Sequence, residues 1–381
     1  MTSSAIRILH VFGRMGRGGA ETWLMNVLRQ IDRQRYQFDF LVHRERAGEF
    51  DDEIRALGGT IHKLPSHRQP VRYVSGFRSV LQHGRYDIVH GHVSHFTGFA
   101  LSLARLFGVA GRIAHSHTAG ATDDNAWPRR VYKRSMRELI HRNATLGVGC
   151  SSQACAGLFG ADWQRHDKYQ RLFYGYDFDR FAVCGPGSRA AARAELGLSD
   201  DQLCIGHVGR FSRPKNHDFM IELMTASKAA GRVDQRFVFI GDGELRADFE
   251  HKVASRDLGD KAILTGLRRD IPELLSSIDV LILPSLWEGL PVTILEAQAA
   301  GVPAIMSDRV SSEVILADDV RQLPLSDPRS WLATVDELAS GPRKPASEAL
   351  AQMTASPFGI AQHVRAVQEM YERERSQSRW S

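Results

Sequence analysis

Three observations predict an α/β protein built from two doubly wound, Rossmann-like parallel-sheet domains. The chain has 381 residues, and at about 150 residues per domain that suffices for two separate cores. Short apolar runs alternate with helix-like stretches, the pattern of a parallel sheet covered on both faces. The alternation stops at Cys184-Gly185-Pro186-Gly187-Ser188, where Gly and Pro cluster, and then begins again. The expected domains are therefore residues 1–184 and 185–357, followed by a helical tail over 358–381.

In the first half the expected strands are Ile6 to Phe12, Phe38 to Val42, Thr60 to Leu64, Asp87 to His90 and Arg112 to His115. Helices are expected between them at Glu21 to Gln30, Glu53 to Leu57, Val74 to His83 and Gly98 to Phe107. In the first of these, Trp23, Leu24, Val27 and Leu28 recur at helical spacing. The second half repeats the plan with strands at Leu203 to Val208, Phe237 to Ile240, Ala262 to Leu264, Val280 to Leu283 and Pro303 to Met306. Its helices are expected at Phe219 to Ala230, Leu245 to Ala254, Ile271 to Ser276 and Val292 to Ala300, with Ile360 to Arg375 in the tail. Each half opens on strand, glycine and basic loop: His10-Val11-Phe12-Gly13-Arg14 in one, His207-Val208-Gly209-Arg210-Phe211 in the other.

Composition narrows the class. Apolar residues make up 43% and charged residues 24%, ordinary for a soluble globular protein. No run of about 18 apolar residues suggests a membrane span. The N-terminal residues lack the charged-then-apolar pattern of a secretory signal, so a cytoplasmic location is expected. Cys150, Cys155, Cys184 and Cys204 form no Cys-x-x-Cys pair, which fits reduced thiols rather than a zinc ribbon or disulfide framework. Residues 1–183 hold 26 Lys and Arg against 16 Asp and Glu, whereas 184–381 hold 23 against 28. A basic first half points to an anionic partner.

Ligands of doubly wound sheets sit beyond the carboxyl ends of strands. The loop Gly206 to His217 leaves such an end carrying Arg210 and Lys215, cations suited to a diphosphate near a helix N-terminus. The segment Leu283-Pro284-Ser285-Leu286-Trp287-Glu288-Gly289-Leu290-Pro291-Val292-Thr293-Ile294-Leu295-Glu296 carries Glu288 in a loop and Glu296 in the following helix. Pro291 is expected in the first helical turn. Two carboxylates so placed can accept paired hydrogen bonds from vicinal hydroxyls, while the amides of Val292 and Thr293 can meet an anion. A glutamate at a helix start can also serve only to complement the helix dipole.

These residues resemble the glutamate-x7-glutamate motif and the diphosphate-binding pair of the retaining family 4 glycosyltransferases of the GT-B fold. Gly241-Asp242-Gly243-Glu244-Leu245 resembles that family's GxGxx turn, and Leu264-Thr265-Gly266 its base-binding strand end. In the first half, Gly16-Arg17-Gly18-Gly19-Ala20-Glu21 resembles the glycine-rich first loop, and Ile113 to Thr118 the loop with a histidine beside the transferred sugar, here His117. The combination is most similar to capsular and exopolysaccharide-assembly members. The resemblance implies two domains facing a central cleft, with the C-terminal helix returning to the first. It implies transfer of a sugar from a nucleoside-diphosphate sugar, a UDP-sugar in first place, to a glycan or lipid-linked acceptor, with retention and without a metal or other cofactor. Arg210, Lys215, Glu288 and His117 would carry the chemistry. Gly18, Gly19, Gly209, Gly266, Leu267, Val292, Thr293 and Glu296 would hold the donor. One position departs from the pattern: Tyr174 stands in Phe173-Tyr174-Gly175-Tyr176-Asp177 where the family usually has Asn.

Two further features stand beside the motifs. His90-x-His92-x2-His95 and His115-x-His117 invite a metal reading, but no cysteine or carboxylate set completes a site. Cleft-lining or acceptor-site histidines are expected instead, with His92 on the acceptor side. Arg130, Lys133, Arg134 and Arg137 share a helical face beside Trp127 and Tyr132, which suits an anionic membrane surface. Two alternatives remain. A GT-B nucleotide-sugar epimerase would want further catalytic carboxylates. A non-catalytic, nucleic-acid-binding module would need neither both phosphate cations nor both glutamates; no nucleic-acid partner is expected.

Overall fold

The computed structural model describes residues 5–64, 69–118, 127–288 and 290–377, and it divides into two compact units. The first contains Met1–Tyr176 and Pro357–Ser381, the second Asp177–Ser356. The division thus falls at Tyr176/Asp177, ahead of the Gly-Pro cluster. Pro186, expected at a linker, is in the first turn of the helix Pro186–Glu195, where its missing N–H costs nothing. Glu288 is described, whereas Gly289 of the same motif lies outside the described residues.

Seven strands form the sheet of the first unit: β1 (Ile6–Phe12), β2 (Tyr36–Val42), β3 (Ile61–Lys63), β4 (Ile88–Gly91), β5 (Gly111–Ser116), β6 (Leu146–Gly149) and β7 (Tyr169–Arg171). Six form the second: β8 (Leu203–Val208), β9 (Gln235–Ile240), β10 (Ala262–Gly266), β11 (Val280–Leu283), β12 (Ala304–Ser307) and β13 (Val320–Leu323). Their spatial orders are β3-β2-β1-β4-β5-β6-β7 and β10-β9-β8-β11-β12-β13, parallel throughout. In each unit the order reverses beside the first strand, between β1 and β4 and between β8 and β11. That reversal opens a crevice at the strand ends.

Both faces of the first sheet are covered. Helix Gly19–Gln30 buries Trp23, Leu24, Val27 and Leu28 on one face, together with Val364, Val367, Met370 and Tyr371 of helix Ile360–Gln377. Helices Pro70–Gly84 and Thr97–Leu106 cover the other. The terminal helix is bound to the first unit by backbone hydrogen bonds from Tyr176 N to Phe358 O (2.7 Å) and from Ile360 N to Tyr176 O (2.9 Å). Double-sided burial explains continuous apolar strands such as Phe237-Val238-Phe239-Ile240. All four cysteines are buried thiols that form no disulfide. Among the described residues no helix is long and apolar enough to cross a membrane.

Several elements went unread, β6 among them. Its glycines look like turn residues, yet a Cβ at Gly147 would lie 2.4 Å from the Tyr169 ring, and one at Gly149 2.5 Å from Cys155 Sγ. Glycine is there because neighbouring elements approach closely.

Candidate functional site

In the second unit the predicted residues gather at the β8/β11 reversal. After β8 the chain passes Gly209 and Arg210 into a short turn, Arg213–Lys215, then enters helix His217–Ala229 through Asn216 in the left-handed region (φ 54°). Asn216 Nδ2 donates to Pro284 O (3.2 Å) and Leu286 N to Pro214 O (2.8 Å), so the loops after β8 and β11 hold one another. This brings Lys215 Nζ to Glu288 Oε1 at 2.7 Å, where Ser285 Oγ also donates at 2.6 Å. The two charged side chains are only 17% and 14% exposed. Such a shielded pair is screened by salt much less than a surface one.

Glu296, in helix Val292–Ala299, is likewise shielded, and its carboxylate is paired with Arg180. Burial raises its pKa, while Arg180 and Lys215 pull the other way. Pro291 precedes that helix as its N-cap rather than occupying the first turn. The Val292 amide is taken by Leu290 O (2.9 Å), while Thr293 Oγ1 reaches Val208 O (3.4 Å) at the end of β8.

A pocket of about 620 Å³ adjoins these residues, lined by Gly209, Arg210, Gly241, Gly243 and Leu267 among others. Its floor demands glycine. Gly241 has φ +147°, and a Cβ there would lie 2.0 Å from Gly209 O. Gly266 (φ +72°) closes the same backbone stack by accepting from Gly241 N (2.9 Å). Arg210 pairs with Glu244 at 3.0 Å in the open, and Leu267 is exposed at the rim. Arg268 lines the pocket too, pinned by Asp270 (2.8 Å) and Glu195 (2.6 Å). Its role, like those of Arg180 and Ser285, went unread: loop arginines and serines give no signal until the fold assembles their partners.

The first unit assembles a different set at the β1/β4 reversal. Gly18 is the N-cap of helix Gly19–Gln30, and Glu21 folds back so closely that a Cβ on Gly18 would lie 2.3 Å from Glu21 Oε2. Around Gly19 the space is open. His10 and His90 are direct partners across β1 and β4. Both are fully buried, as is His115, and His92 is 8% exposed. These rings therefore occupy the core rather than lining a cleft. His117 accepts or donates at both nitrogens, to Tyr174 Oη (2.6 Å) and His92 Nδ1 (2.8 Å). Burial holds His10 and His117 uncharged, down at about 3. Tyr174, the departure from the family pattern, stacks on Trp23 at 5.6 Å and supplies that hydroxyl. Trp23 Nε1 in turn donates to His363 Nε2 (2.6 Å). His10, Trp23 and His363 were missed because nothing in their local sequence marks them.

Helix Trp127–Asn143 carries the basic face. Arg130, Lys133, Arg134 and Arg137 line one groove with Glu138, itself paired with Arg142 (2.7 Å). Trp127 is 74% exposed beside them, and Tyr132 is exposed too.

Comparison with known proteins matches residues 18–166 to the family described as glycosyl transferase 4-like domain and residues 188–351 to glycosyl transferases group 1. The chain is 36% identical to the putative glycosyltransferase EpsF of Bacillus subtilis (strain 168), covering 97% of each. It is 29% identical to the UDP-Gal:alpha-D-GlcNAc-diphosphoundecaprenol alpha-1,3-galactosyltransferase of Escherichia coli, covering 71% of this chain and 72% of that one. Among solved structures, Anabaena Alr3699/HepE in complex with UDP superposes with a TM-score of 0.76 at 16% identity, over 97% of this chain and 99% of that one.

Proposed function

This chain belongs to the group 1 glycosyltransferases and has their GT-B fold, and from that premise we propose that it transfers a sugar from a UDP-sugar to a lipid-linked glycan acceptor, with retention, in surface polysaccharide biosynthesis. The observation that carries this is the shielded Lys215–Glu288 pair beside the glycine-floored pocket at the β8/β11 reversal. A nucleoside diphosphate leaving group develops negative charge as the glycosidic bond breaks. Fixed cations already in place stabilise it without reorganising, the role assigned to Lys215 and Arg210. Glu288 retains a second oxygen for the sugar hydroxyls, and Glu296 is the ribose ligand. Gly18, Gly19, Gly209, Gly266, Leu267 and Thr293 are the backbone and rim contacts of the donor, whereas the Val292 amide, expected to meet an anion, is engaged by Leu290 O. No metal takes part, because side-chain cations stand where a divalent ion would. Support for the UDP donor and lipid diphosphate acceptor comes from the names of the relatives: one is crystallised with UDP, another uses a UDP-sugar and a diphosphoundecaprenol acceptor.

The basic face of helix Trp127–Asn143 is the surface for anionic lipid or the acceptor's diphosphate. Its exposed tryptophan and clustered cations suit a membrane interface. The first test is a thermal-shift series with UDP, GDP and ADP, since a ligand that binds only the folded state raises its Tm. UDP should shift it most. Transfer to a lipid diphosphate acceptor should then proceed in EDTA and give a product with the donor's anomeric configuration. No shift with any nucleotide, or inversion, would refute the proposal.

A further inference from the structure

The buried histidines of the first unit form end-to-end chains with the half-buried His117. His117 Nε2 meets His92 Nδ1 at 2.8 Å with ring centroids 5.1 Å apart; His92 Nε2 meets His10 Nδ1 at 3.0 Å with centroids 5.3 Å apart. Centroid separations exceed the N···N distances by little more than two ring radii, and the planes differ by only 26° and 23°. The rings therefore lie head to tail, as N–H···N hydrogen bonds require. A second chain runs from Tyr371 Oη to His90 Nδ1 (3.0 Å) and from His90 Nε2 to His115 Nδ1 (3.2 Å).

We propose that His10 and His92 are positioning residues that fix which nitrogen of His117 carries its proton and keep that ring uncharged. The inference rests, for its catalytic meaning, on the assignment of His117 to the transferred sugar. Each N···N junction holds one proton, so neutral rings can be arranged in only two ways. If every proton points away from Tyr174, the chain ends in an N–H at His10 Nε2, which is buried and meets no partner among the described residues. If every proton points toward Tyr174, it ends there in a bare lone pair, and the Tyr174 hydroxyl still has Cys150 to donate to. An orphaned buried N–H is costlier than an unfilled acceptor. The second arrangement is therefore favoured: His10, His92 and His117 all carry the proton on Nδ1, and His117 donates to Tyr174 Oη. With both nitrogens engaged, His117 offers the sugar a fixed neutral ring and not a general base.

The groups packed around this chain reinforce neutrality. They are His90 and His115 on the adjoining strands, His363 and Tyr371 on the terminal helix, Glu21 on helix Gly19–Gln30, and Cys150 and Tyr176 near Tyr174. Only Glu21 is anionic near neutral pH, and burial raises its pKa. The same nitrogens also fall into two triads within 4.8 Å, His10-His90-His92 and His92-His115-His117. In each triad two nitrogens already face each other head to tail, His92 with His10 or with His117, and a metal assay of the purified protein tests the convergence of the third.

Two-bond 1H–15N correlation spectra of the 15N-histidine-labelled full chain read the tautomers directly. The expected result is the neutral Nδ1–H pattern for His10, His92 and His117, unchanged from pH 8 to pH 5. A neutral Nε2–H pattern at His117, its titration near 6.5, or a stoichiometric metal ion in the purified protein would overturn the proposal. In His92→Phe, which keeps a ring but removes the N–H donor to His117 Nε2, that nitrogen of the half-buried His117 ring is free to take the proton, so His117 should sample both tautomers, and the acid limb of kcat/KM should rise by about one pH unit. An unchanged His117 spectrum and profile would also overturn the proposal. Should His92→Phe fail to fold, the wild-type spectra still decide the matter. If the tautomers are as expected but no sugar is transferred, the functional assignment fails and the chain stands.

Discussion

The two sheets share a strand order and therefore a crevice in the same place, yet they fill it with opposite chemistry. At the β8/β11 reversal the side chains are ionic and paired: Lys215 with Glu288, Arg180 with Glu296, Arg210 with Glu244. At the β1/β4 reversal they are uncharged imidazoles and a tryptophan, all buried except the half-buried His117. Topology decides where a ligand can sit; side-chain charge decides what it can be. Each of these three pairs is formally neutral. On the proposed reading the donor joins them, its hydroxyls at the remaining carboxylate oxygens and its phosphate oxygens at the cations. The imidazole rings at the β1/β4 reversal carry no charge to exchange, and neutral rings avoid the several-kcal/mol desolvation penalty of buried ions.

The strongest test of this contrast removes a charge from the second unit. Lys215→Ala deletes the cation placed for the leaving diphosphate and strands Glu288. Initial-rate measurements should show kcat lower by about 10²–10³-fold. The double variant Lys215→Ala/Glu288→Ala should be no more active, yet should melt above the Lys215→Ala single, because it leaves no unpaired carboxylate. A Lys215→Ala rate within about twofold of the parent would remove the ionic site from the reaction.

The same contrast explains what was legible in the sequence. The ionic site was readable because its residues lie in two loops that each follow an apolar strand, and because the cations and carboxylates are separated by short, fixed spacings. Even there Arg180 was invisible, since it reaches Glu296 from a segment 116 residues earlier. The imidazole site was half readable. His90, His92, His115 and His117 stood out as pairs, but pairs in a sequence say nothing of depth. The alternation that puts them on one face of the sheet also carries them beneath helices Gly19–Gln30 and Ile360–Gln377. Their partners Trp23, His363 and Tyr371 come from those two helices. Fold elements were read where apolar periodicity was long. They were lost in β6, whose glycines serve packing, and in the later helices Pro328–Ser340 and Ala346–Ala355.

A smaller effect, but one specific to the first unit, is its response to acid. Burial holds His10 and His117 down at about 3, His363 at about 4, and His90, His92 and His115 well below their usual 6.5. Below pH 6.5 the unfolded chain binds these protons and the folded unit does not. Stability is therefore fully present above about 6.5 and lost as pH falls toward 3. Each such histidine contributes at most about 1.36 kcal/mol per pH unit. The second unit has two, His207, held well down, and His217 at about 4, both by burial first. Hydrogen exchange between pH 7 and pH 5, corrected for intrinsic rates, should show protection falling more steeply in β1, β4 and β5 than in β8, β9 and β11. Equal slopes would mean that the imidazole core is hydrated in solution.

That comparison is informative only if each unit's stability can be perturbed separately, and two helix caps provide the calibration. Ser151 Oγ accepts from Ala154 N (3.1 Å) at the start of helix Ser152–Phe159 in the first unit. Asp327 Oδ1 accepts from Arg329 N (3.0 Å) at the start of helix Pro328–Ser340 in the second. Each satisfies an amide that its helix leaves without an intrahelical partner, so Ser151→Ala and Asp327→Ala should each cost about 1 kcal/mol. Neither side chain belongs to the ionic pairs or the imidazole chain. By hydrogen exchange at pH 7, Ser151→Ala should lower protection in the first sheet alone, and Asp327→Ala in the second alone. If either variant loosens both sheets equally, the units unfold as one, and the acid slope must be assigned to all the buried histidines together rather than to those of the first unit.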